Sequence, residues 1–338
     1  MPVHDVASIS ETGTLPGRPY WSSKRQHKAG TGRVMKHVSY LMGVVALSTL
    51  GLAGERNQLA VTVFEAREAN VNAYVFSDGK GTLIVDSTRN SNEAGKLAAL
   101  ARSKGSAPEI VLITHGHPDH YLGMGALKKE FPNARILVAS NQIKDDIIAF
   151  TKFMESVKWL DGEPTMKPKS ASNPNGFDYQ NEIGVLASDH LTMPGGSILE
   201  VNSTFPTTEA PHETVLFSKD LNSVFASDLV YNNVHLWLGV GVTADAIRNW
   251  QSALRDLKES YEPIKSKIYP GHGVVASAAL FDTDMNYVND LLAAVREAKS
   301  EEGAKAVMMK KYPGWANSEF LLAQSVKFQM ESLREKGQ

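Results

Sequence analysis

Residues 114 to 120 read Thr-His-Gly-His-Pro-Asp-His, directly after a short apolar run. Side chains alternate along an extended chain, so His115 and His117 are expected to point to the same side. Asp119 and His120 then lie in the loop beyond and can face a second ion. Neutral imidazole and carboxylate oxygen are ligands that Zn²⁺ takes in proteins. The stretch therefore predicts a metal site at the end of a strand.

Three further candidate ligands occur later in the chain, namely His212, Asp228 and His272. Each stands at an end of an apolar or β-prone run rather than within a helical pattern. Strand ends that meet at one edge of a sheet are where such sites are assembled. A single histidine is more often an ordinary hydrogen-bonded residue. Together with the first cluster, the order and spacing of these residues favour a metal centre.

In this order and spacing the chain resembles the metallo-β-lactamase fold superfamily, whose pattern is H-x-H-x-D-H followed by a later His, a later Asp and a final His. The resemblance covers residues 58–275. It implies two divalent metal ions, and Zn²⁺ is the expected metal, although imidazole and carboxylate also suit Mn²⁺ and Fe²⁺. The resemblance assigns His115, His117 and His212 to one ion, Asp119, His120 and His272 to the other, and Asp228 to a bridge between them.

The chain departs from the superfamily pattern at two of the later positions. Ser227 stands where a glycine often precedes the bridging acid. A Thr-Pro-Gly tail often follows the third histidine of the pattern, whereas Glu213 and Thr214 follow His212 here. His190 is therefore the alternative to His212 as the third ligand of the first ion.

Three more residues are candidates for the surroundings of the centre. Asp86 matches an acid that supports the metal loop by hydrogen bonds in the superfamily, although a strand-end cap explains it equally well. Tyr231, three positions after Asp228, resembles a tyrosine of acyl-homoserine lactonases that hydrogen-bonds the lactone carbonyl. The alternative is that Tyr231 only packs under the site. His235 could line the mouth.

Strand and helix signals alternate along the chain. Strands are predicted at 59–64, 72–76, 82–85, 110–113, 134–138, 197–201, 214–218 and 223–226. Helices are predicted at 90–102, 125–131, 142–160 and 244–260. Each half of the chain thus gives a sheet covered by helices, which predicts an α/β fold, the four-layered αββα sandwich, with the metals at one sheet edge. Residues 277–336 are helical by pattern and are predicted to pack on the outside or toward a partner subunit.

The chain divides into four predicted segments. Residues 1–34 lack hydrophobic periodicity, so they form a disordered leader, or translation begins at Met35. Residues 35–54 contain an apolar run of roughly 15 residues, which is typical of a signal peptide and short for a membrane span. Residues 55–276 form the metallo-β-lactamase-fold domain, and 277–338 form a C-terminal helical extension. The protein is expected to be periplasmic or secreted, without a stable membrane span after signal removal.

Charge and cysteine content exclude several classes of function. Lysine and arginine total 35 against 37 acidic residues, so the net charge of −2 gives no general attraction to phosphate backbones, and no nucleic-acid partner is expected. The chain has no cysteine, which excludes disulfides, cysteine nucleophiles and thiolate ligands. The β-lactamase subclasses with a cysteine ligand are thereby excluded. Subclasses without that ligand do not, as a rule, place a bridging acid where Asp228 falls.

The predicted reaction is hydrolysis of a small carbonyl compound. Two divalent ions that share a water bring its pKa from about 15.7 toward about 7, so hydroxide is available at neutral pH. Asp119 is placed to orient this hydroxide and later to give a proton to the leaving group. The expected substrate is a carbonyl ester, first of all a lactone such as an acyl-homoserine lactone. The alternatives are β-lactam hydrolysis, glyoxalase-type thioester hydrolysis, iron-dependent sulfur oxidoreduction and, last, metal binding without catalysis.

Two apolar groups could line the substrate site or belong to the core. They are Phe150, Phe153, Met154 and Trp159 in the helix 142–160, and Val234, Leu236 and Trp237 after the bridging acid. Apolar residues at helical spacing are what any amphipathic helix shows, which favours the core for the first group. The oligomeric state stays open, and a homodimer is one option.

Overall fold

A computed structural model describes residues 58–336 of the chain. The predicted leader 1–34 and the predicted signal peptide 35–54 lie outside the described residues. Among the helices of the described part, none is both long and apolar enough to cross a membrane.

The first sheet takes its strands from the N-terminal half in chain order. They are β1 (Ala60–Glu65), β2 (Asn72–Ser77), β3 (Thr82–Val85), β4 (Pro108–Ile113), β5 (Arg135–Val138) and β6 (Ile183–Val185). Strands β1 to β3 form an antiparallel meander, and β3 to β6 run parallel. The parallel strands β3 and β4 therefore deliver the segments that follow them to the same edge of the sheet.

The strands of the C-terminal half form a second sheet and a small separate pair. They are β7 (His190–Thr192), β8 (Ile198–Asn202), β9 (Val215–Ser218), β10 (Ser223–Phe225), β11 (Tyr231–Asn232), β12 (Lys267–Tyr269), β13 (His272–Gly273) and β14 (Ala276–Ser277). The second sheet has the order β14-β12-β10-β9-β8-β7, in which β10 and β12 are parallel. Strands β11 and β13 form a parallel pair beyond the ends of β10 and β12.

The helices cover the outer faces of the two sheets. They are α1 (Ser91–Arg102), α2 (Pro118–Tyr121), α3 (Met124–Glu130), α4 (Asn141–Ser156), α5 (Ala244–Tyr261), α6 (Ala279–Glu297), α7 (Glu301–Lys311) and α8 (Ala323–Lys336). One apolar cluster lies between the two sheets. Each of the other two lies between one sheet and the helices that cover it. The predicted αββα sandwich with a C-terminal helical extension is confirmed.

Local signals explain where the helices begin and end. The side chain of Asn90 accepts a hydrogen bond from the Glu93 backbone N–H, so α1 begins where the sequence predicts. Helix α4 is shorter than predicted, because its last residue is Ser156 and Lys158 adopts a positive φ of 62°. The following stretch has no helix or strand until β6.

The C-terminal extension packs on the outside of the second sheet, which is one of the two placements predicted. Its helices contribute Phe281, Tyr287, Leu291 and Val326 to the same apolar cluster as Trp250 of α5. The helical structure is interrupted between α7 and α8, where Gly314 has a φ of 78°. We call this interruption the break before α8. The extension is therefore part of the core of the C-terminal half.

His235 lies in this core and does not line the mouth of the site, so that prediction is wrong. It is 1% exposed, and its Nδ1 lies 2.8 Å from the hydroxyl of Tyr287. Its ring also contacts Trp315, with the ring centroids 6.0 Å apart. Burial lowers the pKa of the His235 imidazole to about 4, and the charge of Lys305 adds to this effect.

The low pKa of His235 predicts that this residue lowers the stability of the folded chain in acid. In the unfolded chain this residue takes up a proton near its ordinary pKa of 6.5, whereas in the folded chain it does so only at about 4. The stability that it contributes is therefore fully present above pH 6.5 and is lost as the pH falls toward 4. We expect the loss to be about 1–3 kcal/mol.

Urea unfolding of the wild type and of His235→Gln across this pH range measures the loss. The free energy of unfolding of the variant should fall less steeply with decreasing pH. An equal pH dependence in the two proteins would contradict the assignment.

Candidate metal centre

The candidate site lies where the carboxyl ends of strands from both sheets meet. His115 follows β4, and α2 begins shortly after it at Pro118 with His117 as its N-cap. Asp228 lies in a 3-10 turn, Ser227–Leu229, that follows β10. His272 begins β13, shortly after the end of β12. Residues that are far apart in the chain thus converge because the strands before them run parallel within each sheet.

Seven potential ligands form two groups, and within each group the donor atoms all lie within 4.8 Å of one another. The first group contains His115, His117, Glu209 and Asp228, and the second contains Asp119, His120 and His272. The structure therefore brings together six of the seven predicted ligands. It adds Glu209, which the sequence analysis missed.

Asp228 stands between the two groups. Its Oδ1 lies 3.1 Å from Nε2 of His120, and its Oδ2 lies 3.2 Å from Nε2 of His272. On the other side, Oδ2 lies 3.8 Å from Nε2 of His115. One carboxylate therefore faces imidazoles of both groups, which is the arrangement needed to bridge two cations.

Three of the histidines are oriented by hydrogen bonds at the ring nitrogen that faces away from the centre. Nδ1 of His120 lies 2.8 Å from Oδ2 of Asp86, and Nδ1 of His272 lies 3.0 Å from the carbonyl oxygen of Ala69. Nδ1 of His115 lies 3.0 Å from the hydroxyl of Thr114. Such contacts are typical of metal-ligating histidines, because they fix the tautomer and direct Nε2 to the ion.

Unpartnered polar atoms at the centre show that the residues fit a cation. Within residues 58–336, buried atoms without a hydrogen-bond partner include Nε2 of His115 and Oε2 of Glu209. A buried polar atom without a partner costs about 1–3 kcal/mol. Coordination of divalent cations would remove this cost at both atoms, and the donor set of imidazole and carboxylate suits Zn²⁺.

Asp86 supports the metal loop as the resemblance implied. One of its oxygens accepts a hydrogen bond from the Thr114 backbone N–H, at 2.9 Å, and the other contacts His120. The same carboxylate therefore fixes the start of the loop and one candidate ligand.

Ser227 replaces the glycine that often precedes the bridging acid, and the structure shows what it gains. The residue has a φ of 50°, a conformation that glycine adopts at lower cost. Its hydroxyl donates to Thr114 Oγ1 at 2.9 Å and lies 3.1 Å from Nδ1 of His115. The side chain thus offsets the backbone strain by holding a candidate ligand.

The structure does not bring His212 or His190 to the centre. His212 is 38% exposed and places its Nδ1 2.8 Å from Oδ2 of Asp146 in α4. His190 lies on β7 and is 47% exposed, beside Asp189. The position predicted for His212 is taken by Glu209, whose Oε1 lies 3.0 Å from Nδ1 of His117.

A buried turn explains why Glu209 faces inward. Oε1 of Glu213 accepts hydrogen bonds from the Thr208 hydroxyl, at 2.7 Å, and from the Ala210 backbone N–H, at 3.2 Å. These bonds close the turn around Glu209 and leave His212, further along the chain, outside the buried cluster. A capping carboxylate shortly after Glu209 is the one sequence signal that could have indicated this turn.

The charges at the centre are set by close pairs. Burial opposes protonation of His117, but the neighbouring Glu209 carboxylate more than compensates and raises the pKa of His117 to about 9. Burial alone would raise the pKa of Asp228, yet the imidazoles of His120 and His272 hold it well below its ordinary value. Asp228 therefore stays ionised, as a bridging ligand requires.

Comparison with known proteins identifies the family of the chain. Residues 66–272 match the family model described as the Metallo-beta-lactamase superfamily. The chain belongs to this superfamily. Members of the metallo-beta-lactamase superfamily are generally metal-dependent hydrolases. No curated protein matches the sequence.

Solved structures similar to this chain have low sequence identity to it, and the first of the following three shares its fold. A metallo-beta-lactamase family protein from Thermus thermophilus has a TM-score of 0.57 and 16% identity, covering 83% of this chain and 94% of its own. The metallo-beta-lactamase from Pontibacter korlensis has a TM-score of 0.48 and 15% identity, covering 69% of this chain and 95% of its own. The metallo-beta-lactamase FIM-1 from Pseudomonas aeruginosa has a TM-score of 0.46 and 13% identity, covering 68% of this chain and 90% of its own.

Tyr231 is buried against the metal centre of this superfamily member. Its hydroxyl donates to Oδ2 of Asp228 at 2.7 Å and lies 3.2 Å from Oε1 of Glu209. Its ring stacks on His272, with the centroids 4.7 Å apart and the planes 1° from parallel. Tyr231 thus contacts a candidate ligand of each group and the carboxylate between them.

Metal binding tests whether Glu209, and not His212, is the ligand. We expect Glu209→Gln to weaken the binding of one of two Zn²⁺ ions by at least about tenfold, because the amide is a poorer and uncharged ligand. The matched variant His212→Gln should bind both ions as the wild type does. Titration of the metal-free proteins against a chromophoric chelator measures both sites. Wild-type binding by Glu209→Gln together with a loss in His212→Gln would return the ligand role to His212.

Proposed function

We propose that the protein is a hydrolase with two metal ions that opens a carbonyl ester, in particular a lactone with an apolar acyl chain such as an acyl-homoserine lactone. The observation that carries this proposal is the pair of donor groups on either side of Asp228. Helix α4 passes beside this centre, and a row of apolar side chains along it is the reason for proposing an apolar acyl chain.

The two groups of donors are suited to two divalent ions, for which we propose Zn²⁺. The first ion would be held by His115, His117 and Glu209, the second by Asp119, His120 and His272, and Asp228 would be shared. When bound, such ions activate a water molecule and polarise the substrate carbonyl. The protein contributes the fixed geometry, because hydrogen bonds orient the ligands before substrate arrives.

Asp119 is the proposed catalytic acid and base. Its side chain is 15% exposed, whereas that of Asp228 is 2% exposed, so Asp119 is the aspartate of the centre that a substrate can reach. It lies in the first turn of α2, with Oδ2 3.6 Å from Nε2 of His272. From this position Asp119 would orient the attacking water and then deliver a proton to the leaving oxygen of the ester.

Tyr231 is the second residue proposed for catalysis, and it acts through its neighbours. Its hydroxyl is directed to the carboxylates of Asp228 and Glu209, and the residue is buried. We therefore propose that Tyr231 holds the bridging carboxylate in place while the substrate carbonyl becomes tetrahedral.

One face of α4 leads outward from the centre. Asp146 packs against Gly116, the residue between the candidate ligands His115 and His117. A Cβ added to Gly116 would lie 2.9 Å from Cβ of Asp146. Phe150, Phe153 and Val157 follow Asp146 at intervals of four, three and four residues, which places all four on one face. The row spans about 16 Å at about 1.5 Å per residue.

The outer part of this row is exposed apolar surface. Phe153 and Val157 are 47% and 41% exposed, and Trp159, which is 65% exposed, packs against Phe153 with the ring centroids 5.7 Å apart. We call Phe153, Val157 and Trp159 the α4 patch. An apolar chain attached to a carbonyl at the metal centre would run along Phe150 to the α4 patch, and its burial there would favour binding.

Most other candidates for the substrate wall belong to the core. Met154 is 2% exposed and faces the first sheet, and Val234 and Leu236 are buried in the cluster of the C-terminal half. Trp237 is partly buried and stacks on Phe320. Of the candidates predicted from the sequence, Phe153 and Trp159 are therefore the exposed ones.

The first test of the proposed function is ring opening of a medium-chain acyl-homoserine lactone, followed by proton release. The Zn²⁺-loaded full chain should turn over, and Asp119→Ala should be slower by about 10²–10⁴-fold, because the proton transfers lose their carrier. Ile264→Ser is a control, since Ile264 is an exposed residue at the other end of β12.

The same preparation separates the alternatives. Turnover of a chromogenic β-lactam or of a thioester, with the lactone intact, would replace the proposed substrate. Bound iron and oxygen uptake would indicate sulfur oxidoreduction. A protein that holds two ions and leaves all these compounds unchanged would contradict the hydrolase.

The α4 patch predicts a dependence on acyl chain length. Each fully buried methylene contributes about 0.8 kcal/mol, so kcat/KM of the wild type should rise by up to about fourfold per methylene. Phe153→Ser and Trp159→Ser should flatten this rise and leave the rate with the shortest chain unchanged. Ile264→Ser should keep the wild-type slope. An equal slope in all four proteins would remove the α4 patch from the substrate site.

A further inference from the structure

The C-terminal extension lies outside the stretch that matches the superfamily, which ends at residue 272. Two of its polar side chains nevertheless reach the backbone next to the metal centre. They are Asp284 of α6 and Asn317 in the break before α8. Neither residue has a place in the reaction proposed above.

Asp284 is a fully buried carboxyl group with an unusual environment. Its Oδ2 accepts a hydrogen bond of 2.8 Å from the backbone N–H of Tyr231. Its Oδ1 has no hydrogen-bond partner within the described part of the chain. Burial raises the pKa of Asp284 well above its ordinary value, and the bond from Tyr231 offsets only part of this. A half-satisfied acid in a core costs stability, so its single bond to Tyr231 needs a reason.

The hydrogen bond to Asp284 comes from a short strand that pairs with the strand of a candidate metal ligand. Tyr231 belongs to β11, whose register places it opposite His272 in β13. The rings of the two residues also stack, as described above. A displacement of the Tyr231 backbone would therefore shift His272 through both the strand pair and the ring contact.

Asn317 is linked to the same ligand through the carbonyl oxygen of Ala69. Its Nδ2 donates to the carbonyl oxygen of Ala69 at 3.2 Å, and that oxygen also lies 3.0 Å from Nδ1 of His272. Ala69 and Asn317 both have positive φ angles, 63° and 65°. The neighbouring Ala316 donates its N–H to the carbonyl of Asn233, which fixes the break against the loop after β11.

We propose that Asp284 and Asn317 are positioning residues for His272, so that the C-terminal extension sets how tightly the Asp119–His120–His272 group holds its metal ion. Asp284 acts on the strand that pairs with the ligand, and Asn317 acts on the carbonyl that orients its ring. The inference rests on the metal centre of the proposed function and on no particular substrate.

Metal affinity tests this proposal without any substrate. The metal-free proteins are titrated with Zn²⁺ against a chromophoric chelator, and their stability is measured by urea unfolding in the absence of metal. Asp284→Ala should bind one of the two ions about 10- to 100-fold more weakly and keep wild-type affinity for the other. Asn317→Ala should weaken the same ion. Asp284→Asn keeps the acceptor for the Tyr231 N–H and should restore the affinity.

Asp290→Ala is the matched control. Asp290 lies on the same helix, but its carboxylate pairs with Tyr312 and Lys311, neither of which belongs to the two donor groups. The control should keep both affinities even where its stability falls.

Three results would overturn the proposal. They are wild-type affinity for both ions in Asp284→Ala and Asn317→Ala, an equal loss in Asp290→Ala, and a loss in Asp284→Asn as large as that in Asp284→Ala. Asn317→Ala decides the matter if Asp284→Ala does not fold. A wild type that binds two ions but opens no lactone would remove the proposed substrate and leave this inference standing.

Discussion

The carboxylate of Asp228 is the interaction on which the site depends. It is surrounded by three imidazoles, and these come from the loop after β4, from α2 and from β13. The first two belong to the N-terminal half of the chain, and the third belongs to the C-terminal half with Asp228 itself. Because the acid stays ionised, it attracts the rings of His120 and His272, and its contact with His120 joins the two halves of the sandwich at one edge.

The surroundings of Asp228 leave little room for another arrangement. A Cβ at position 271 would lie 1.8 Å from its Oδ1, so only glycine allows the segment before His272 to pass so close. On the helical side, the indole N–H of Trp250 donates to the carbonyl of Leu229 at 2.9 Å and holds the 3-10 turn. Packing against α5 therefore holds the turn that carries the carboxylate.

Much of this could be predicted because the signals are local. The cluster 115–120 lies within six consecutive positions, so strand alternation and one short helix define most of its geometry, and the αββα layers follow from the strand and helix patterns. Glu209 could not be predicted, because its direction depends on a turn closed by the buried Glu213. Strand β6 has three residues and gains its stability from β5, a neighbour distant in the sequence.

Hydrolysis of an ester or a lactone leaves a carboxylate at the place where it was formed. Such a product is retained most strongly where the net positive charge is largest. Glu209 brings to the centre a negative charge that an imidazole in the same position would not bring. In the proposed reaction, the chain would therefore give up some attraction for the developing oxyanion, and in return an acidic product would depart more readily.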